Sequence, residues 1–199
     1  MAQLTRADLW SLEEYAQRRA TFRASVMAHK KARQCSLGDH LRLHFEDALT
    51  VRYQIQEMLR IEKIFEAAAI QEELDAYNPL IPDGSNWKAT LMIEYADPGE
   101  RARQLARMHG IEDTVWLQVQ DCDRLYPIAD EDLERSNAQK TSSVHFLRYE
   151  LSPMMISAAQ AGAGISAGVD HPSYPTGPLR LPEPVRASLV DDLAAVAIN

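Results

Sequence analysis

Cysteine is scarce in this sequence: Cys35 and Cys122 are the two in 199 residues. Neither belongs to a CxxC pair, which excludes a zinc ribbon, a thioredoxin-type dithiol and a cysteine-ligated iron–sulfur cluster. Two separate thiols suit a reducing compartment. No apolar run approaches the roughly 20 residues that cross a bilayer, and the opening segment Met1 to Asp8 is broken at once by polar and charged residues, unlike a signal peptide. The expectation is a cytoplasmic protein with no membrane partner. There is no GxGxxG and no P-loop, so the usual signatures of nucleotide-binding sheets are missing. No Glu-x-x-His occurs either, which removes the ferritin-like di-iron bundle.

What is present is ordinary globular material, 46% hydrophobic and 25% charged, in a chain long enough to bury a core without disulfides. Its net charge of −8 is uneven. Residues 1–34 carry seven basic side chains (Arg6, Arg18, Arg19, Arg23, Lys30, Lys31, Arg33) against three acids (Asp8, Glu13, Glu14). That segment is therefore +4, and the remainder of this −8 chain is −12. A basic helix beside an acidic body suits docking on that body or on an acidic partner.

Hydrophobic spacing divides the chain into elements. Thr5 is a suitable N-cap, and Leu12, Tyr15, Phe22 and Val26 form one face of a helix running to about Arg33. Leu41 to Phe45 alternates as a strand. Asp47 or Thr50 starts a helix with an apolar stripe at Val51, Ile55, Met58 and Phe65; a second helix covers about Ala68 to Tyr77, and the proline-bearing stretch 77–84 is irregular. Thr90 to Tyr95 is a strand, and Asp97-Pro98-Gly99-Glu100 opens a helix that stops at Gly110. Val115 to Val119 and Leu125 to Ile128 read as a hairpin, followed by an acidic loop from Asp130 to Glu134. In Ser143 to Leu151, His145, Leu147 and Tyr149 share one strand face. Ser152-Pro153 starts a helix, Ile165 to Val169 is a strand, 172–184 is a proline-rich surface loop, and Val185 to Val196 is a last helix with Leu189, Leu193 and Val196 in line. Adjacent strands without intervening helices give an α+β fold: an antiparallel or mixed sheet of about five or six strands covered by helices. The whole chain, 1–199, reads as a single domain, with 1–34 as a helical segment and 35–199 as the α+β body.

Several residues could carry chemistry. Tyr53, Glu57 and Arg60 share a helix face, either as a surface ion pair or as a polar stripe turned inward. The following helix adds Glu73, and Asn78 lies in the irregular segment after it. His145 is a polar residue on an apolar strand face, which fits either a hydrogen-bonded core histidine or a ligand. Asp170 and His171 end a strand, where site residues concentrate, although an Asp there also caps turns. Two histidines and a carboxylate make the composition of a non-haem iron site. His145, His171 and Glu57 (or Asp170 or Glu73) are therefore candidate ligands for a divalent metal such as iron or zinc. No nucleophile stands out: Cys35 follows a basic stretch that would lower its pKa, and Cys122 lies between Asp121 and Asp123.

The strings TVRYQIQEMLRIEKI, QEELDAYNPLIPDG, KTSSVHFLRYELSP and GVDHPSYP together resemble a bacterial domain-of-unknown-function family. The resemblance runs from Leu4 to the last helix. Members of that family are often encoded beside rubrerythrin-like proteins and iron–sulfur oxidoreductases. What the resemblance implies is an accessory or partner protein of a redox or peroxide-handling system, with those two proteins as partners. The alternatives are a stand-alone metal-dependent enzyme using His145, His171 and a carboxylate, and a structural adaptor docking through the basic N-terminal helix.

The acidic body repels phosphate backbones, and a +4 segment is too small to overcome it. Titration with duplex DNA or with RNA at physiological salt should therefore show no micromolar binding; a micromolar complex with a steep salt slope contradicts this.

Overall fold

Strand alternation builds the larger of two sheets in this computed structural model, which describes residues 3–133, 135–136 and 140–194. In β2 (Leu41–Phe45) the buried Leu41, Leu43 and Phe45 alternate with half-buried Arg42 and His44. β2 pairs with β1 (Gln34–Leu37) in a hairpin that the sequence reading missed. The hairpin turns at Gly38, whose φ of +71° and 2.5 Å approach of an added Cβ to the Tyr174 hydroxyl both require glycine. β3 (Asn86–Ile93) starts and ends earlier than the expected Thr90–Tyr95. With β6 (Val144–Glu150) and the two-residue β5 (Ile128–Ala129), the order is β1-β2-β3-β6-β5, every pair antiparallel. A second sheet, β4-β7-β8, consists of Val115–Val119, Ile165–Val169 and Thr176–Arg180. The fold is thus α+β, with two antiparallel sheets of five and three strands.

The inner face of the larger sheet, including Phe45, Trp87, Leu91, Leu147 and Tyr149, joins Val115, Leu117, Ile165 and Ala167 of the smaller sheet in one apolar cluster. Polar atoms entering it are satisfied: the Tyr149 hydroxyl donates to the Val115 carbonyl at 3.1 Å, and Trp87 Nε1 donates to Leu189 O at 2.8 Å. Gly168 of β7 lets the Trp116 ring lie against the strand, since a Cβ there would sit 2.2 Å from Cζ2. Leu189 belongs to α6 (Glu183–Asp191), which ends before the expected Val196; Val196 lies outside the described residues. Buried Arg33 ties α6 to the sheet, donating to the carbonyls of Phe45, Glu46 and Ser188 and to the Asp192 carboxylate.

Helices α1 (Leu12–Lys30), α2 (Ala48–Glu62) and α3 (Ala67–Tyr77) belong to a second apolar cluster built on Val51, Ile55, Leu59, Leu74 and Ile81. Thr5 caps a single 3-10 turn, Arg6–Asp8, and Ser11 is the N-cap of α1, so the first helix is shorter at both ends than its sequence suggests. α4 (Pro98–Arg107) and α5 (Pro153–Gln160) start at the expected Asp-Pro and Ser-Pro signals.

Two further expectations are corrected. Leu125 bridges Leu117 as a hairpin would, but the strand that follows is only Ile128–Ala129, and it pairs with β6 of the other sheet. The proline-rich stretch 172–184 contains β8, an edge strand with a bulge opposite Ala167–Val169, where a missing N–H is tolerated.

The basic α1 docks within the chain. Arg19 forks onto Glu57 at 2.7 and 3.0 Å, and the Tyr15 hydroxyl donates to the same carboxylate at 2.6 Å. Arg19 above all, with Tyr15 and Arg60, holds the Glu57 carboxyl down to about 2 against the opposing effect of burial. A folded pKa depressed in this way supplies stability above the unfolded value near 4.3 that is lost as pH falls towards 2. Arg19 is about one-third exposed, so screening discounts the contribution. Glu57→Gln should cost about 1–2 kcal/mol in urea melts at pH 7, and the gap to wild type should shrink by pH 3.

Candidate functional site

β6 carries His145 on the inner sheet face, opposite Leu91, with no solvent exposure. A buried imidazole needs partners on both ring nitrogens, and both have them. Nδ1 lies 2.6 Å from Asp130 Oδ2, and the other Asp130 oxygen accepts from the Phe146 N–H at 2.9 Å. The short β5 pairing of Ala129 with Leu147 delivers Asp130 to this place, and Asp130 itself turns the chain with φ of +49°. Nε2 faces three oxygens: Thr141 Oγ1 at 3.0 Å, the Ser142 carbonyl at 3.1 Å and Glu112 Oε2 at 3.8 Å. Glu112 comes from the 3-10 turn Ile111–Thr114. Its carboxylate accepts from Ser136 at 2.6 Å and from Thr141 at 3.1 Å.

The charge balance follows from this geometry. Burial pushes the Glu112 carboxyl up, but the Ser136 hydroxyl, its own N–H, His145 and Thr141 outweigh burial and hold it below the usual range. The neighbouring Asp113 is pushed up, by burial first and then by Glu112 and Asp130. A carbonyl oxygen only accepts. A bare Nε2 lone pair would therefore face the Ser142 carbonyl lone pairs at 3.1 Å. A cation on Nε2, either a proton or a metal ion, removes that conflict. Around a tetrahedral ion with ligands at 2.0–2.1 Å, ligand atoms stand about 3.3 Å apart. Here Nε2 stands 3.0–3.8 Å from Thr141 Oγ1, Ser142 O and Glu112 Oε2, and Thr141 Oγ1 stands 3.1 Å from Glu112 Oε2. Asp130 on Nδ1 is the carboxylate that commonly orients a histidine ligand.

Of the residues expected to form one pocket, His145 alone belongs to this cluster. Among the described residues, the group whose ligand atoms all lie within 4.8 Å of one another is Glu112, Asp130 and His145. The set His145, His171 and Glu57 is not assembled. Glu57 is committed to Arg19 and Tyr15 of α1 and to Arg60 of its own helix, so one interhelical and one i,i+3 ion pair account for Glu57 and Arg60. Tyr53 packs its ring 6.0 Å from that of Phe22. Glu73 lines a separate cavity. Asn78 exchanges two 2.9 Å hydrogen bonds with the backbone of Leu4, fastening the N-terminal segment. Asp170 accepts from Trp116, Arg124 and Tyr126. His171 Nε2 meets the His109 carbonyl at 2.9 Å, while Nδ1 accepts from Ser173 N–H.

Glu112 and Asp130 were not singled out by sequence. Asp130 reads as one of a run of loop acids, and Glu112 falls in the unassigned stretch between Gly110 and Val115; the β5–β6 register brings the first, and the 3-10 turn after α4 the second, beside His145. Cys35 is no nucleophile, because burial pushes its thiol up to about 11. Gly164-Ile165-Ser166-Ala167-Gly168 does have the GxSxG spacing of a nucleophile elbow. The structure places Ser166 inside β7, paired with Gln118 and Arg180, instead of on a strand-to-helix turn.

Together these features define an α+β protein with a closed carboxylate–histidine cluster between a five-stranded sheet and the turn that follows α4. The chain belongs to the family described as protein of unknown function (DUF3501), whose model matches residues 3–193. It is similar to a crystal structure of a novel protein of unknown function from Burkholderia pseudomallei, at 56% identity and a TM-score of 0.93 over 97% of this chain and all of that one. No curated protein matches it. Among the described residues, no helix is long and apolar enough to cross a membrane.

Asp130→Ala removes the partner of Nδ1 and of the Phe146 N–H together. It should destabilise the fold by about 3–5 kcal/mol in chemical denaturation, the usual cost of leaving a buried charge uncompensated. A loss near zero would show that the ring needs no counterion.

Proposed function

We propose that this protein is a metal-holding accessory component of a cytoplasmic redox or peroxide-handling system. The observation that carries the metal assignment is the ring of oxygen acceptors around His145 Nε2, at 3.0, 3.1 and 3.8 Å, with Asp130 fixing the other nitrogen. Its nitrogen-plus-oxygen donor set suits iron or zinc. The site is closed: His145 is fully buried and the side chains of Asp130 and Glu112 are about one-tenth exposed. Closed coordination is the habit of structural metal sites, whereas catalytic sites keep a position open for substrate. This favours an accessory over a stand-alone metal-dependent enzyme. The redox setting rests on the family resemblance, with rubrerythrin-like proteins and iron–sulfur oxidoreductases as the proposed partners. The two free thiols are in keeping with a reducing cytoplasm.

Metal and proton compete for the same nitrogen, so loading must release a proton. Anaerobic titration of the full chain with Fe(II), and separately with Zn(II), should give one equivalent bound, with proton release and a raised melting temperature. Glu112→Gln should fold and bind neither ion. Absence of stoichiometric binding by the wild type would leave Nε2 to a proton and overturn the metal assignment.

A further inference from the structure

On the opposite face of the larger sheet, α2 and α3 stand off from β3 and β6 to leave a cavity of about 560 Å³. That volume falls within the range of small-molecule sites. Met58, Tyr77, Leu80 and Phe146 supply an apolar lining. The charged groups around it are not equivalent. Arg148 forks onto Glu131 at 2.7 and 2.7 Å and also pairs with Glu150. Arg135 forks onto Asp132 at 2.6 and 2.7 Å. These two guanidiniums are already neutralised. Lys88 is different: it is half-buried on β3, and its ammonium donates to the Pro79 carbonyl at 2.5 Å. Among the described residues it forms no ion pair within 4.0 Å. An ammonium has three donors, so two are left for a guest. Burial above all presses its pKa downward, with Arg148 on the same side and the more distant carboxylates of Asp83, Glu150 and Glu131 opposing. Glu73, also on the wall, is pushed up, by burial first and then by Glu62 and Glu72.

We propose that this cavity binds an amphipathic organic anion, its apolar body against Phe146, Met58, Tyr77 and Leu80 and its anionic head on the Lys88 ammonium. The site lies on the outer sheet face and needs no metal at the buried cluster. Its test is therefore independent of the metal assignment.

The test uses the full chain and three ten-carbon probes that differ only in the head group: decanoate, decanol and decylamine, followed by calorimetry below their micelle concentrations. Decanoate should bind one to one and more tightly than the other two. Lys88→Met keeps the apolar stem and should weaken decanoate about tenfold or more, as loss of a charge-assisted contact does, while leaving decanol within about twofold. Ala76→Trp, at a helix position lining the cavity, should block all three, with melting temperatures checking that both variants fold. Equal affinity for decanoate and decanol, preference for decylamine, no binding of decanoate, or decanoate binding that survives either substitution would each overturn the proposal.

Discussion

An imidazole with no access to water, set between a carboxylate on one nitrogen and a carbonyl on the other, is the constraint around which much of this structure is arranged. The carbonyl only accepts, and the carboxylate donates only when protonated, so the ring carries the donor or cation towards both. Three separate pieces of chain serve that requirement. The two-residue β5 delivers Asp130, the turn after α4 delivers Glu112, and the segment before β6 delivers Thr141 and Ser142. An unpaired polar group at such a depth costs about 1–3 kcal/mol, and a charged one more. β5 makes only two residue pairings with β6. Its position depends on the Asp130 contacts with His145 and Phe146 at least as much as on the ladder.

Strand parity was legible in the sequence where alternation is strong. His145, Leu147 and Tyr149 do share the buried face, and the starts of α4 and α5 follow from Asp-Pro and Ser-Pro. The N-terminal helix was overextended, because the basic run to Arg33 continues its polar pattern while Arg33 itself is buried as a clamp on α6. β8 is unreadable as a strand from sequence, because its one proline, Pro178, is tolerated only through its place at the sheet edge. The candidate site failed to converge for a single geometric reason. Parity says which residues share a face but not which helices cover that face. Glu57 and Arg60 belong to the helical cluster, whereas His145 faces the smaller sheet.

The two sites share a wall. Phe146 follows His145 in β6, so its side chain lies on the other face, lining the outer cavity, while its N–H holds Asp130. Arg135 stacks 4.5 Å above the Phe146 ring, lines the same cavity and reaches Asp130 at 3.4 Å. Ser136, the next residue, holds Glu112. One short stretch therefore seals the buried cluster with one set of side chains and walls the cavity with another.

The central claim is that a cation sits on His145 Nε2. Nitrogen-15 NMR of the imidazole in metal-free protein at neutral pH reads it directly, because protonated and bare ring nitrogens resonate far apart. The account predicts a protonated Nε2, hydrogen-bonded towards Ser142 and Thr141, that exchanges its proton for metal on loading. A bare Nε2 in metal-free protein, with the single ring proton on Nδ1, would contradict it.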